Sequence, residues 1–175
     1  MMKIIGTLLL ITYSSVFAAN FKGKEGALNI SFSNQFKTYK NFLGLPYVLI
    51  KKEQRSKKTS ISITPTGLKS LDLNPMLLQK NYDKYKIGRK NWAKKRGFKI
   101  DSYLEFDSFK NKTQTTIFSA GYIYTKKDST QNIEVSYYII CKNETFQIKV
   151  LTENVFYTNP FSKMLRSSLS NSRCK

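Results

Sequence analysis

The chain has 175 residues, no histidine, and 30 Lys and Arg against 11 Asp and Glu, for a formal net charge of +19. That length suits one domain with a real hydrophobic core, and the cation excess draws the protein toward polyanions. The lack of histidine excludes Ser-His-Asp and Cys-His catalysis and histidine-ligated zinc. The chain opens with Lys3, an apolar run from Ile4 to Ile11, and the compact residues Val16-Phe17-Ala18. This is the pattern of a secretory signal peptide over residues 1–18. It predicts cleavage after Ala18, a single mature domain over 19–175, and a periplasmic or secreted location. The apolar run is too short to cross a bilayer, which takes about 20 residues.

Leu28, Ile30 and Phe32 alternate with polar residues, as do Ile61 and Ile63, and both stretches are predicted strands. Leu45 to Ile50 reads as a more buried strand, followed by the charged loop Lys51-Lys52-Glu53-Gln54-Arg55-Ser56-Lys57-Lys58. Pro65 and Gly67 end this part of the pattern. Asn74-Pro75 is a helix start signal, and Leu78, Tyr82, Tyr85 and Trp92 fall on one face of the helix that follows. Lys94, Lys95 and Arg96 meet the negative helix end and Gly97 supplies the left-handed stop. Gly88 is the expected weak point of this helix.

Four strands are predicted next. Phe98, Ile100, Leu104 and Phe106 share one parity, and Phe118, Ala120, Tyr122 and Tyr124 share another. Ile133, Val135, Tyr137, Ile139 and Cys141 alternate strictly, and Phe146, Ile148 and Val150 return after the turn Lys142-Asn143-Glu144-Thr145. Asn159-Pro160 repeats the helix start signal, with Phe161, Met164, Leu165 and Leu169 on one face. Cys141 and Cys174 are the two cysteines, and in an exported protein such a pair reads as one disulfide. It would close a loop of about 34 residues, worth roughly 4 kcal/mol by chain entropy. A redox-cycling pair or a cysteine nucleophile are the rival readings, but redox pairs favour the close C-x-x-C spacing, which is absent. The fold class expected is α+β: a single domain, mainly antiparallel sheet, with a central helix and a C-terminal helix packed on it.

This order of elements resembles the PsbP-like superfamily of small α/β/α sandwiches. The resemblance rests on the closing strand Thr145 to Leu151 and on Phe161-Ser162-Lys163-Met164-Leu165-Arg166-Ser167-Ser168-Leu169, which is similar to the F-x-x-[ML]-[LI]-x-S helix that ends many members. It implies a scaffold used mostly by non-enzymatic accessory or binding subunits in bacteria and chloroplast lumens. The strong positive charge and the cysteine pair depart from that pattern.

Two groups of residues carry candidate chemistry. Asp101, Glu105 and Asp107 form the one acidic cluster, readable as a carboxylate pair for glycoside hydrolysis, as a hard-cation site, or as the solvated face of a strand. The strand alternation favours the last reading. The basic helix carries Lys80, Lys84, Lys86, Arg89, Lys90, Lys94, Lys95 and Arg96, with Lys99 just beyond. Together with Lys51, Lys52, Arg55, Lys57 and Lys58 these are the candidates for one anion-binding surface. The leading expectation is a non-catalytic exported accessory or binding protein, without cofactor or metal, that meets an anionic partner such as an envelope surface, an acidic protein or a polyanion. Two alternatives stand beside it: a secreted cationic protein acting on another cell's envelope or nucleic acid, and a small carboxylate-dependent hydrolase.

Overall fold

The computed structural model describes residues 16–52, 59–67 and 75–175. The strands are β1 (Val16–Lys22), β2 (Ala27–Ser33), β3 (Phe36–Phe42), β4 (Leu45–Lys51), β5 (Thr59–Pro65), β6 (Lys99–Lys110), β7 (Thr116–Thr125), β8 (Gln131–Cys141), β9 (Glu144–Glu153) and β10 (Arg173–Cys174). The helices are α1 (Pro75–Lys80), α2 (Tyr82–Arg96) and α3 (Asn159–Ser170), with a 3-10 turn at Asn154–Phe156. Seven strands form one antiparallel sheet in the order β3-β4-β5-β9-β8-β7-β6, and β1-β2-β10 form a second, smaller sheet. This is the expected α+β domain with a central and a C-terminal helix.

Strand parity explains the layers. On β8, Ile133, Val135, Tyr137, Ile139 and Cys141 point to one face of the large sheet, where Phe146, Ile148 and Val150 of β9 join them. The small sheet covers this face with Phe21, Leu28, Ile30 and Phe32, and α3 adds Leu165 and Leu169, all at most 1 % exposed. Full burial of such side chains stabilises the fold by about 1.5 to 3 kcal/mol each. The other face carries Phe118, Tyr122 and Tyr124, and α2 lies across it, packed against β6.

The disulfide joins Cys141 at the end of β8 to Cys174 in β10, with Cα atoms 5.0 Å apart and a separation of 33 positions in sequence. It therefore ties the small sheet, as well as the trailing end of α3, to the large one. Asn111 works beside it: its side-chain amide donates to the Ser172 carbonyl at 3.0 Å while its oxygen accepts from the Thr113 and Thr115 backbone amides. Glu144, paired with Cys141 across the β8–β9 turn, fixes the same end of the small sheet at the β1–β2 turn. Its carboxylate accepts from the Glu25 amide at 3.0 Å and occupies the space a Cβ on Gly23 would take, so a larger residue there would displace it.

Several expectations need correction. The helix starting at Pro75 breaks at Asn81, whose side-chain amide donates to the Leu77 carbonyl at 2.9 Å, and α2 runs unbroken through Gly88. The cap of α3 is Thr158, one residue before the predicted Asn159. The shared parity of Leu104 and Phe106 fails, because β6 shifts register between Ile100 and Ser102 and again between Leu104 and Asp107. Leu104 consequently packs toward the aliphatic core and Phe106 toward α2. Strands β1 and β3 were not anticipated. The predicted cleavage point lies inside β1, where Val16, Phe17 and Ala18 pair with Ser33, Phe32 and Ser31. Cutting there leaves Ala19 to Lys22 paired with Ile30 to Ala27. The rest of the predicted leader lies outside the described residues.

Candidate anion-binding surface

Helix α2 is pinned to the sheet from both partners. The Tyr82 hydroxyl donates to the Leu104 carbonyl, and the Tyr103 hydroxyl of β6 donates to the Lys86 carbonyl at 2.9 Å. Trp92 stands edge-on to Phe98, Tyr122 and Tyr124, with ring centroids 5.4 to 5.9 Å apart. Such pairs add about 0.5 to 1.5 kcal/mol each beyond burial. The three aromatics of α2 predicted to face inward, Tyr82, Tyr85 and Trp92, do so; the side chain of Leu78 lies outside the described residues.

With that face committed, the cations of α2 divide into two groups. Arg89 lies over the rings of Tyr85 and Tyr122, with Nη1 3.8 Å from Glu134 Oε1. Lys149 of β9 reaches the same oxygen at 3.6 Å. Glu134 is only 8 % exposed, so its charge is held by these two cations in a partly desolvated site. Lys86 sits over Tyr82 at 4.6 Å and 3.4 Å from Asp83, and Arg96 lies 5.3 Å from the Trp92 ring centre. These cations serve the helix's own packing. Lys80, Lys84, Lys90, Lys94 and Lys95 point outward around Ile87, which is 60 % exposed, and none has an ion-pair partner among the described residues.

The helix end gathers more charge than the sequence suggested. Gly97 closes α2 at φ 68°, and the Lys127 side chain passes 2.3 Å from where a Cβ on that glycine would stand. Lys126, Lys127 and Lys99 thus extend the surface formed by Lys94 and Lys95. The signal was present in the turn Lys126-Lys127-Asp128-Ser129, but nothing in sequence spacing brings it to the helix.

Lys51, the last residue of β4, does not join this surface. Four strands separate β4 from β6, which is about 24 Å at the usual strand spacing. Lys51 lines a cavity against α3, on the opposite face of the sheet from α2, with Lys52 next to it in the chain. Arg55, Lys57 and Lys58 lie outside the described residues.

The acidic residues are also dispersed. Asp101 accepts from the Thr125 hydroxyl at 2.6 Å and from Gln131 at 3.1 Å, and the Thr125 bond first, then Gln131 and Lys99, hold its carboxyl below the usual range. Asp107 faces Arg166 at 3.2 Å, and lines with Glu105 a recess of about 180 Å³ that also includes Tyr137 and Tyr157. Asp101 takes no part in that recess. No group of three or more Cys, Asp or Glu residues able to hold a metal ion occurs among the described residues. Likewise, no helix among them is long and apolar enough to cross a membrane.

A seven-stranded antiparallel sheet with a helix on one face, and a small sheet and terminal helix on the other, defines a PsbP-like fold. It matches the solution structure of cyanobacterial PsbP (CyanoP) from Synechocystis sp. PCC 6803 with a TM-score of 0.63, over 98% of this chain and 99% of that one, at 10% identity. No protein-family model and no curated protein matches the sequence. The structural likeness bears out the fold that the closing strand and C-terminal helix suggested.

Proposed function

We propose that this is a non-catalytic accessory or binding protein, exported and matured under oxidising conditions, that engages an anionic partner through the outward lysines of α2. The observation that carries the reading is the split among the helix's cations. Arg89, Lys86 and Arg96 are used in packing, whereas Lys84, Lys90, Lys94 and Lys95 stand together on one rigid surface without ion-pair partners among the described residues. Like charges held together repel, so their placement favours a partner that neutralises them. The leader pattern and the Cys141–Cys174 bond support an exported location, where disulfides persist. The PsbP-like scaffold supports the accessory role.

The test is retention on immobilised heparin. The variant Lys84→Glu, Lys90→Glu, Lys94→Glu, Lys95→Glu is expected to elute at markedly lower salt, while Lys51→Glu, Lys52→Glu changes elution little. Binding by these charges must also weaken steeply between low and physiological salt. Retention that survives high salt, or that is indifferent to the α2 changes, refutes the surface. N-terminal sequencing tests export separately: a chain beginning at Ala19 is expected, and an uncut chain in the cytosol refutes that part.

A further inference from the structure

The second strand is incompletely paired, and the gap opens onto a cavity. Along one edge of β2, β1 pairs at every position from Ala27 to Ser33. Along the other, β10 pairs only with Asn29 and Leu28, beside the reciprocal backbone bonds between Ala27 and Lys175 at 3.1 and 2.9 Å. Backbone groups of an antiparallel strand alternate between its two neighbours. Because Ala27 bonds to Lys175, the N–H and C=O of Asn29, Ser31 and Ser33 also face the β10 side. β10 begins only at Arg173, so the positions opposite Ser31 and Ser33 fall to Asn171, the C-cap of α3, and Leu169 inside the helix. Neither residue has a backbone partner on that side among the described residues.

The space beside them is a cavity of about 570 Å³ between β2 and α3. That is within the usual range of about 300 to 1,000 Å³ for ligand pockets. Ser31 and Ser33 form one wall, Phe161 and Met164 of α3 the other, and Lys51 stands at its rim. An acyl chain would cover the apolar wall but leave two amides and two carbonyls without a partner from the ligand. Another extended backbone satisfies all four.

We propose that this groove binds an extended peptide that adds a strand to β2 in line with β10. Its backbone pairs with Ser31 and Ser33, an apolar side chain rests on Phe161 and Met164, and an acidic side chain or C-terminal carboxylate meets Lys51. Backbone pairing gives the affinity, and the two side-chain contacts select the sequence. This site lies on the opposite face of the large sheet from the lysines of α2 and does not depend on them.

The test pans the intact, disulfide-bonded protein against a randomised phage-displayed peptide library, then measures the enriched peptides in solution. Apolar residues at alternate positions with one acidic group are expected. Bound peptide should protect the Ser31 and Ser33 amides from hydrogen exchange. Ser31→Pro removes an amide that faces the groove and not β1, so affinity should fall at least tenfold with the melting temperature nearly kept. Lys51→Glu should weaken acidic peptides about tenfold. Should Ser31→Pro misfold, the exchange measurement on the unaltered protein decides alone. Three results overturn the proposal: no enrichment, binding with unchanged exchange at Ser31 and Ser33, or both amides already protected in the unliganded protein. Filling of the groove by a lauric acid probe, with those amides unprotected, would assign it to a lipid instead.

Discussion

The two faces of the large sheet are built on different chemistry. Beneath the small sheet and α3, interlocking Ile, Val, Leu and Phe side chains are closed by one covalent bond, with the Thr59 and Thr152 hydroxyls meeting at 2.7 Å in the same layer. Beneath α2, Tyr and Trp rings carry polar tips and enclose Glu134 between Arg89 and Lys149. The first face resists solvent by excluding it. The second holds a helix in one orientation, and the rings that anchor its inner side decide which cations are left for the outside. The disulfide-closed aliphatic core and the outward lysines thereby lie on opposite sides of one sheet.

The largest effect is expected from opening the aliphatic side. Cys141→Ala with Cys174→Ala should cost about 4 kcal/mol, read as a lower denaturant midpoint, because the closed loop constrains the unfolded chain. The outward lysines of α2 should still bind heparin while the protein remains folded. Loss of heparin binding in the folded double variant would show that the two sides are not independent.

Alkali should attack the other side. Burial, with Glu134 a lesser cause, pushes Tyr124 up to about 12, and burial raises Tyr85, Tyr122 and Tyr138 as well. A folded value above the unfolded one of 10.0 favours the protonated hydroxyl in the native state. That stability is complete below pH 10 and is lost as pH rises through the folded value, on the order of 2 kcal/mol for Tyr124 alone. Tyrosinate absorbance should therefore appear together with loss of circular dichroism, and Tyr124→Phe should raise the alkaline midpoint. Early titration without unfolding would contradict the buried aromatic layer. The smallest effect is expected at the clasp: Glu134→Gln leaves Arg89 and Lys149 without their shared counter-charge. With both cations about one-third exposed, the cost should be about 1 to 2 kcal/mol, less at high salt.

Sequence reading succeeded where one physical signal dominated. Strict alternation from Ile133 to Cys141 located β8 and its inward face, and the pair of cysteines in a chain with a leader made the link to Cys174 legible. It failed where two signals overlapped. Val16, Phe17 and Ala18 satisfy a peptidase pattern and are also strand residues, so β1 was hidden behind the leader. On β3, Phe36, Tyr39 and Phe42 recur every third residue, as an edge strand with little to bury permits. Two register shifts rotated β6 midway, a change that no residue spacing announces. The candidate surface was only half legible for a topological reason: Lys51 and Lys84 share charge but lie on opposite faces of the large sheet, while Lys127, distant in sequence, touches the end of α2.

Closure of the Cys141–Cys174 ring also governs how the molecule bears mechanical load. A pull on Lys175 passes through the sulfur atoms into β8, an interior strand, and leaves β9 and α3 slack inside the loop. The separation of 33 positions so closed hides about 110 Å of contour length. Tension on that end therefore bypasses the enclosed segment, and the ring releases its length only after chemical reduction.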